Sequence, residues 1–146
     1  MKMIFTAISA LAAASVAAAT LCAEANKFGA LTITPSTALA GGSNVTGSLD
    51  LTCPKEKGYF PTYVDYYLEV PQGNNGYEWP VLLAHNEVDA SATSDTFNTA
   101  LPYITYFNAS YVVYAQFTYA RTDEKQNTYY LIGGTSSGVN ITANNS

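Results

Sequence analysis

The chain has 146 residues, with six Lys or Arg against eleven Asp or Glu and a formal net charge of −5. An acidic chain without clustered positive charge excludes nucleic acid and anionic membrane surfaces as partners. Its acids are scattered, as solubility requires, and twelve Tyr with few Leu, Lys or Glu favour strands over helices.

At the N-terminus Lys2 precedes an almost unbroken apolar run that ends in small residues at Ala19. That order predicts a secretory signal peptide over 1–19. Ala17 and Ala19 suit the small positions read before the cut, which starts the mature domain at 20–146. A transmembrane anchor is the competing reading, but it needs about 20 strongly apolar residues and this run is mostly alanine. Lipid attachment at Cys22 is disfavoured by the bulky Leu21, and "NITANNS" lacks the apolar tail of a GPI signal. The expectation is a secreted, extracellular protein with no membrane insertion. Its mature chain keeps five Lys or Arg against eleven acids, a net charge of −6, and its length suits one domain.

"KFGALTIT" reads as the first strand, closed by Pro35, and "PSTALAGGS" as a turn in which Gly41 and Gly42 give backbone freedom. "NVTGSLDLTC" alternates, with Val45, Gly47, Leu49, Leu51 and Cys53 on one side, so a half-buried strand is expected to reach Cys53. "PKEKGYFP" reads as a charged loop. In "TYVDYYLEVP", Val64, Tyr66, Leu68 and Val70 share the core side, opposite Tyr63, Asp65, Tyr67 and Glu69. "QGNNGYE" is rich in turn formers, and "WPVLLAHNEV" and "SATSDTFNT" read as shorter strands. "ASYVVYAQFTYAR" is the longest strand, with Tyr111, Val113, Ala115, Phe117 and Tyr119 inward. "TDEKQN" is a polar hairpin connection, followed by two strands, "TYYLIGG" and "SGVNITA". No helix is expected beyond the signal peptide.

About seven short antiparallel strands joined by turns predict an all-β sandwich of immunoglobulin-like or fibronectin type III-like kind. "LPYITYFNASYVVYAQ" resembles the approach to strand F of such sandwiches, where a tyrosine ties the loop down. The departure is the missing cysteine pair between the second and sixth strands.

Two cysteines in an oxidising compartment are expected to pair. A Cys22–Cys53 bridge closes a loop of about 30 residues, worth roughly 3.5 kcal/mol in the chain-entropy view. An intermolecular bridge through Cys22, giving a homodimer, is the alternative, and a cut after Ala25 would leave Cys53 alone. Two cysteines and one histidine so dispersed do not have zinc spacing, so no metal and no cofactor are expected.

Four N-glycosylation acceptors occur: Asn44 in "NVT", Asn108 in "NAS", Asn140 in "NIT" and Asn144 in "NNS". Asn44 and Asn108 belong to turns, Asn140 alternates outward between Val139 and Ile141, and Asn144 lies too near the end for efficient transfer. His85 is the one candidate for neutral-pH acid–base work. Glu87, Asp89 and Ser91 follow it closely, but catalytic triads are assembled from separate chain regions and no G-x-S-x-G occurs. Scattered carboxylates select no glycosidase pair, and no catalytic residue is assigned.

Strand parity sends Tyr63, Tyr67 and Tyr114 to the face opposite the core, with one of Tyr129 or Tyr130 beyond them. If the strands are neighbours these form one aromatic patch, suited to protein recognition or sugar stacking. Cross-strand pairing that only stabilises the sheet is the alternative.

"CAEANKFGALTITPSTALAGGSNVTGSLDLTC" is similar to small secreted immunomodulatory glycoproteins of basidiomycete fungi, and "YVDYYLEVP" and "YVVYAQFTYA" extend the likeness. It differs from the small fungal immunomodulatory proteins that lack a signal peptide and cysteines. The resemblance implies a glycosylated, dimeric, non-enzymatic protein that stimulates innate immune cells such as macrophages through a cell-surface receptor or glycan. The competing expectation is a carbohydrate-binding or cell-wall module using the tyrosine face and Trp79.

Overall fold

Alternation sorts the strands into two layers in this computed structural model, which describes residues 22–71 and 79–144. The expected signal peptide and the turn-rich segment 72–78 expected as a loop lie outside the described residues. A short 3-10 turn, Glu24–Asn26, precedes β1 (Ala30–Thr34) and β2 (Asn44–Asp50). Helix α1 (Thr52–Lys57) follows, then β3 (Tyr63–Glu69), β4 (Val81–Glu87), β5 (Ser94–Ala100), β6 (Tyr111–Thr122) and β7 (Thr128–Val139). One sheet has the order β1-β2-β5 and the other β4-β3-β6-β7, with every pairing antiparallel. This is the three-on-four arrangement of a fibronectin type III-like sandwich.

The expected inward residues close the core. Val64, Tyr66, Leu68, Val113, Ala115 and Phe117 face Val45, Leu49, Leu31 and Ile33 across the layers. Each fully buried aliphatic or aromatic side chain contributes about 1.5–3 kcal/mol. Phe97 lies over Gly47, where a methyl would come within 2.0 Å of the ring. Tyr106 fills the entrance to β6, fully buried, and donates its hydroxyl proton to the Pro102 carbonyl at 2.8 Å. The loop-tying tyrosine read from "LPYITYFNASYVVYAQ" is therefore Tyr106.

Two expectations change. The second strand ends at Asp50, and Cys53 sits in helix α1 rather than at a strand end. Asp50 Oδ1 accepts the Thr52 N–H at 2.8 Å and turns the chain. Pro54 stands in the first turn, where its missing N–H is harmless, and Gly58 ends the helix with φ 75°. "TYYLIGG" and "SGVNITA" are likewise not two strands, because β7 runs unbroken through its glycines. Gly133 makes room for the Phe28 ring and Gly134 for Tyr114, so those glycines mark close approach and not a turn.

Antiparallel pairing gives the sandwich two poles. The connection 35–43, the loop 101–110 and the segment 140–144 meet at one, joined by Leu39 N–H to Asn140 O and Asn140 N–H to Ser36 O. The 3-10 turn, α1 and the β6–β7 hairpin meet at the other. Cys22 and Cys53 form an intramolecular disulfide there, with Cα atoms 5.4 Å apart, so the bridge through Cys22 to a second chain is not the pairing formed.

Candidate functional site

The outer face of the four-stranded sheet is built from the residues that parity sends away from the core. On β3 these are Tyr63, Asp65, Tyr67 and Glu69, all half-buried. Register sets Tyr67 beside Tyr114 and Asp65 beside Gln116 on β6. On the other side Asp65 faces His85, and a register shift at Tyr66/Tyr67 brings Leu82 beside Tyr67. Tyr63, Tyr67 and Tyr114 thus share one face, as expected.

The rings do not stand free. Tyr63 stacks on His85 with ring centroids 5.4 Å apart and planes 22° from parallel. His85 Nδ1 lies 2.5 Å from Asp65 Oδ1. That contact and the stack on Tyr63 hold the imidazole in place on the sheet. Tyr114 extends over Gly134, whose added methyl would fall 2.7 Å from the ring's Cζ. The phenol end of that side chain thus crosses from β6 onto β7. Burial, reinforced by the nearby negative charges of Asp65 and Glu69, raises the Tyr67 and Tyr114 phenols above the ordinary tyrosine value. Both therefore stay protonated donors throughout the neutral range.

No protein-family model matches this chain, and no curated protein matches it.

The face is smaller than the patch predicted. Tyr130 is on the outer side but pairs with Ala120, six residues along β6 from Tyr114, or about 20 Å at the strand rise. Tyr129 has the opposite parity. Trp79 is separate as well: 84 % exposed, it lines a recess of about 340 Å³ with Leu68, Val81, Ile104 and Tyr111.

All four acceptor asparagines lie at one pole. Asn44 opens β2, Asn108 precedes β6 and Asn140 follows β7, each exposed. Asn108 and Asn140 line one depression of about 440 Å³ together with Ser36 and Thr37. Asn144 differs, because its side chain is engaged: Oδ1 accepts the Tyr106 N–H at 2.7 Å and Nδ2 donates to Ile104 O at 3.0 Å. Glycan transfer to that nitrogen would break the clasp. Lys27, Lys55, Lys57, Arg121 and Lys125, the Lys and Arg of the described residues, all belong to the opposite pole.

His85 does not meet Ser91, which donates instead to Asp89. Among the described residues no cluster of three or more metal-ligating side chains occurs, and no helix is long and apolar enough to cross a membrane. Sequence reading missed one polar group entirely. Tyr66 donates to Asp95 Oδ2 at 2.6 Å, and Asn86 Nδ2 donates to the same oxygen at 2.8 Å. This bridge ties β3 and β4 to β5 across the layers. Burial first, then the Asp95 bond, pushes the Tyr66 phenol far above its ordinary range.

Proposed function

We propose that this protein is a secreted glycoprotein that acts by binding and without catalysis, and that the outer face of the four-stranded sheet receives its partner. The observation that carries the reading is the line of half-exposed rings Tyr63, Tyr67 and Tyr114 flanking the fixed His85–Asp65 pair. Tyrosine combines apolar area, few rotamers and a hydroxyl, the qualities of a recognition anchor. The disulfide suits an oxidising extracellular setting. Acceptor asparagines confined to one pole keep attached glycan at that end. The partner is a cell-surface receptor or glycan, and activation of macrophages is the effect that the sequence resemblance implies.

A second reading, a carbohydrate-binding or wall-associated module, is favoured by Tyr114 standing beside Tyr67 in the register of β3 and β6, with its phenol end over Gly134. A glycan array probed with the labelled secreted protein separates the two. Selective polysaccharide binding that is lost in Tyr67→Ser supports the module. An array without signal, beside macrophage binding lost in the same variant, supports a protein receptor. Binding unchanged by Tyr63→Ser and Tyr67→Ser in both assays moves the site elsewhere.

A further inference from the structure

The outer faces of the two sheets differ in chemistry. On the three-stranded sheet, β1, β2 and β5 turn outward small side chains such as Thr32, Thr46, Ser48 and Asn98, with Asp50 as their one charge. On the four-stranded sheet, Asp65 and Glu69 alternate with Tyr63 and Tyr67 along β3, and Glu87 on β4 stands beside Tyr63. β6 adds Val112, Tyr114, Gln116 and Thr118, and β7 has no charged residue. The tyrosine face thus carries three carboxylates and no Lys or Arg.

These acids are spread along the face. Asp65 and Glu69 are about 13 Å apart at the strand rise, with Tyr67 between them. Asp65 is held by His85, whereas Glu69 and Glu87 have no ion-pair partner among the described residues. Elsewhere the molecule shows how its rings take cations. At the hairpin pole Arg121 lies over Tyr59 and Tyr119, 5.3 and 5.6 Å from the ring centroids, and Lys27 lies over Phe28 and Tyr59. Among the described residues no Lys or Arg lies over Tyr63, Tyr67 or Tyr114.

We propose, resting on the reading that the tyrosine face binds, that the partner presents to it a basic, extended protein segment. Its Arg or Lys side chains reach Glu69 at one end of β3 and Glu87 at the other, and cross the rings between. Same-side residues of an extended chain recur about every 7 Å, the step at which rings and carboxylates alternate along β3. A guanidinium suits both, since its plane stacks on an aromatic ring and its fork meets a carboxylate. A face of this charge repels sialylated or sulfated glycan. After burial, the charge of Glu69 is what raises the Tyr114 phenol, so acid and ring already act on one another across the strands.

The test is fluorescence anisotropy of the full secreted protein with a labelled peptide of alternating Arg and Thr, long enough to span β3. A Glu and Thr peptide and a glucosamine oligomer are measured beside it. Saturable binding of the Arg peptide is expected, falling as salt rises from about 0.05 to 0.5 M. Glu69→Gln, Glu87→Gln should weaken it about 5-fold or more, as should Tyr67→Ser. Glu56→Gln, Glu124→Gln removes two charges from exposed positions at the hairpin pole and should leave affinity within about 2-fold. Equal weakening by the two charge pairs would reduce the effect to net charge and overturn the proposal. No binding of the Arg peptide, or tighter binding of the glucosamine oligomer, also overturns it. Macrophage binding separates this inference from the reading beneath it. Binding lost in Tyr67→Ser but kept in Glu69→Gln, Glu87→Gln leaves the face as the binding surface and overturns the basic partner. Binding reduced in both supports it, and binding indifferent to Tyr67→Ser removes the face and the basic segment together.

Discussion

Gly47 and Tyr66 carry consequences larger than their places in a periodic pattern suggest. At Gly47 a methyl would collide with the Phe97 ring, which is buried and has little room to retreat. Gly47→Ala is expected to cost about 1–3 kcal/mol, read from the midpoint of denaturant unfolding. Tyr66→Phe removes the donor to Asp95 while Asn86 keeps its own bond, so a loss of about 1–2 kcal/mol is expected in the same measurement. The pH response follows with a definite sign. The folded state raises the Tyr66 phenol, so its contribution is whole below the ordinary value near 10 and is lost as pH rises beyond it. Stability should therefore decline above about pH 10, and a thermal-transition series against pH should show less decline in Tyr66→Phe. Parity alone identified Tyr66 as inward. Its partner on β5 was illegible because the bridge depends on how two sheets are stacked, which no single strand's period encodes.

At the scale of elements, helix α1 tests how far local chemistry overrides alternation. The period-two pattern continues to Cys53, yet the Asp50 carboxylate, Pro54 and Gly58 supply an entrance and an exit for a helix. Those signals were present in "DLTCPKEKG" and were outweighed by the alternating Leu49 and Leu51, both of which are buried for reasons of packing. The bonds with Thr52 hold the Asp50 carboxyl below its usual value. Its contribution is thus present above the ordinary carboxylate range near pH 4 and is lost as pH falls through the lower folded value. Asp50→Asn should flatten the acid limb of the stability profile below about pH 4, measured by circular dichroism. Removing both cysteines, Cys22→Ser with Cys53→Ser, should cost about 3 kcal/mol because a long loop is released in the unfolded chain. β7 gives the opposite lesson. Its glycines read as a break because the rings that cover them, Phe28 and Tyr114, come from other strands and segments.

For the whole molecule, the strand count, the two-layer architecture and the inward residues were legible because half-buried strands write their faces into a period of two. The division into poles was not. Acceptor asparagines at 44, 108, 140 and 144 are dispersed along the chain and converge only when antiparallel strands return to the same end. The same topology gathers the described Lys and Arg at the opposite end. It also limits the aromatic patch, separating Tyr130 and Trp79 from the Tyr63, Tyr67 and Tyr114 face. The central claim is that this face meets the partner. Its most direct test is quantitative binding of fluorescently labelled secreted protein to cultured macrophages, with Tyr63→Ser, Tyr67→Ser measured alongside. Apparent affinity should fall by about 30-fold or more, with an unchanged fold by circular dichroism. Affinity equal to that of the unmodified protein, with the fold intact, would contradict it.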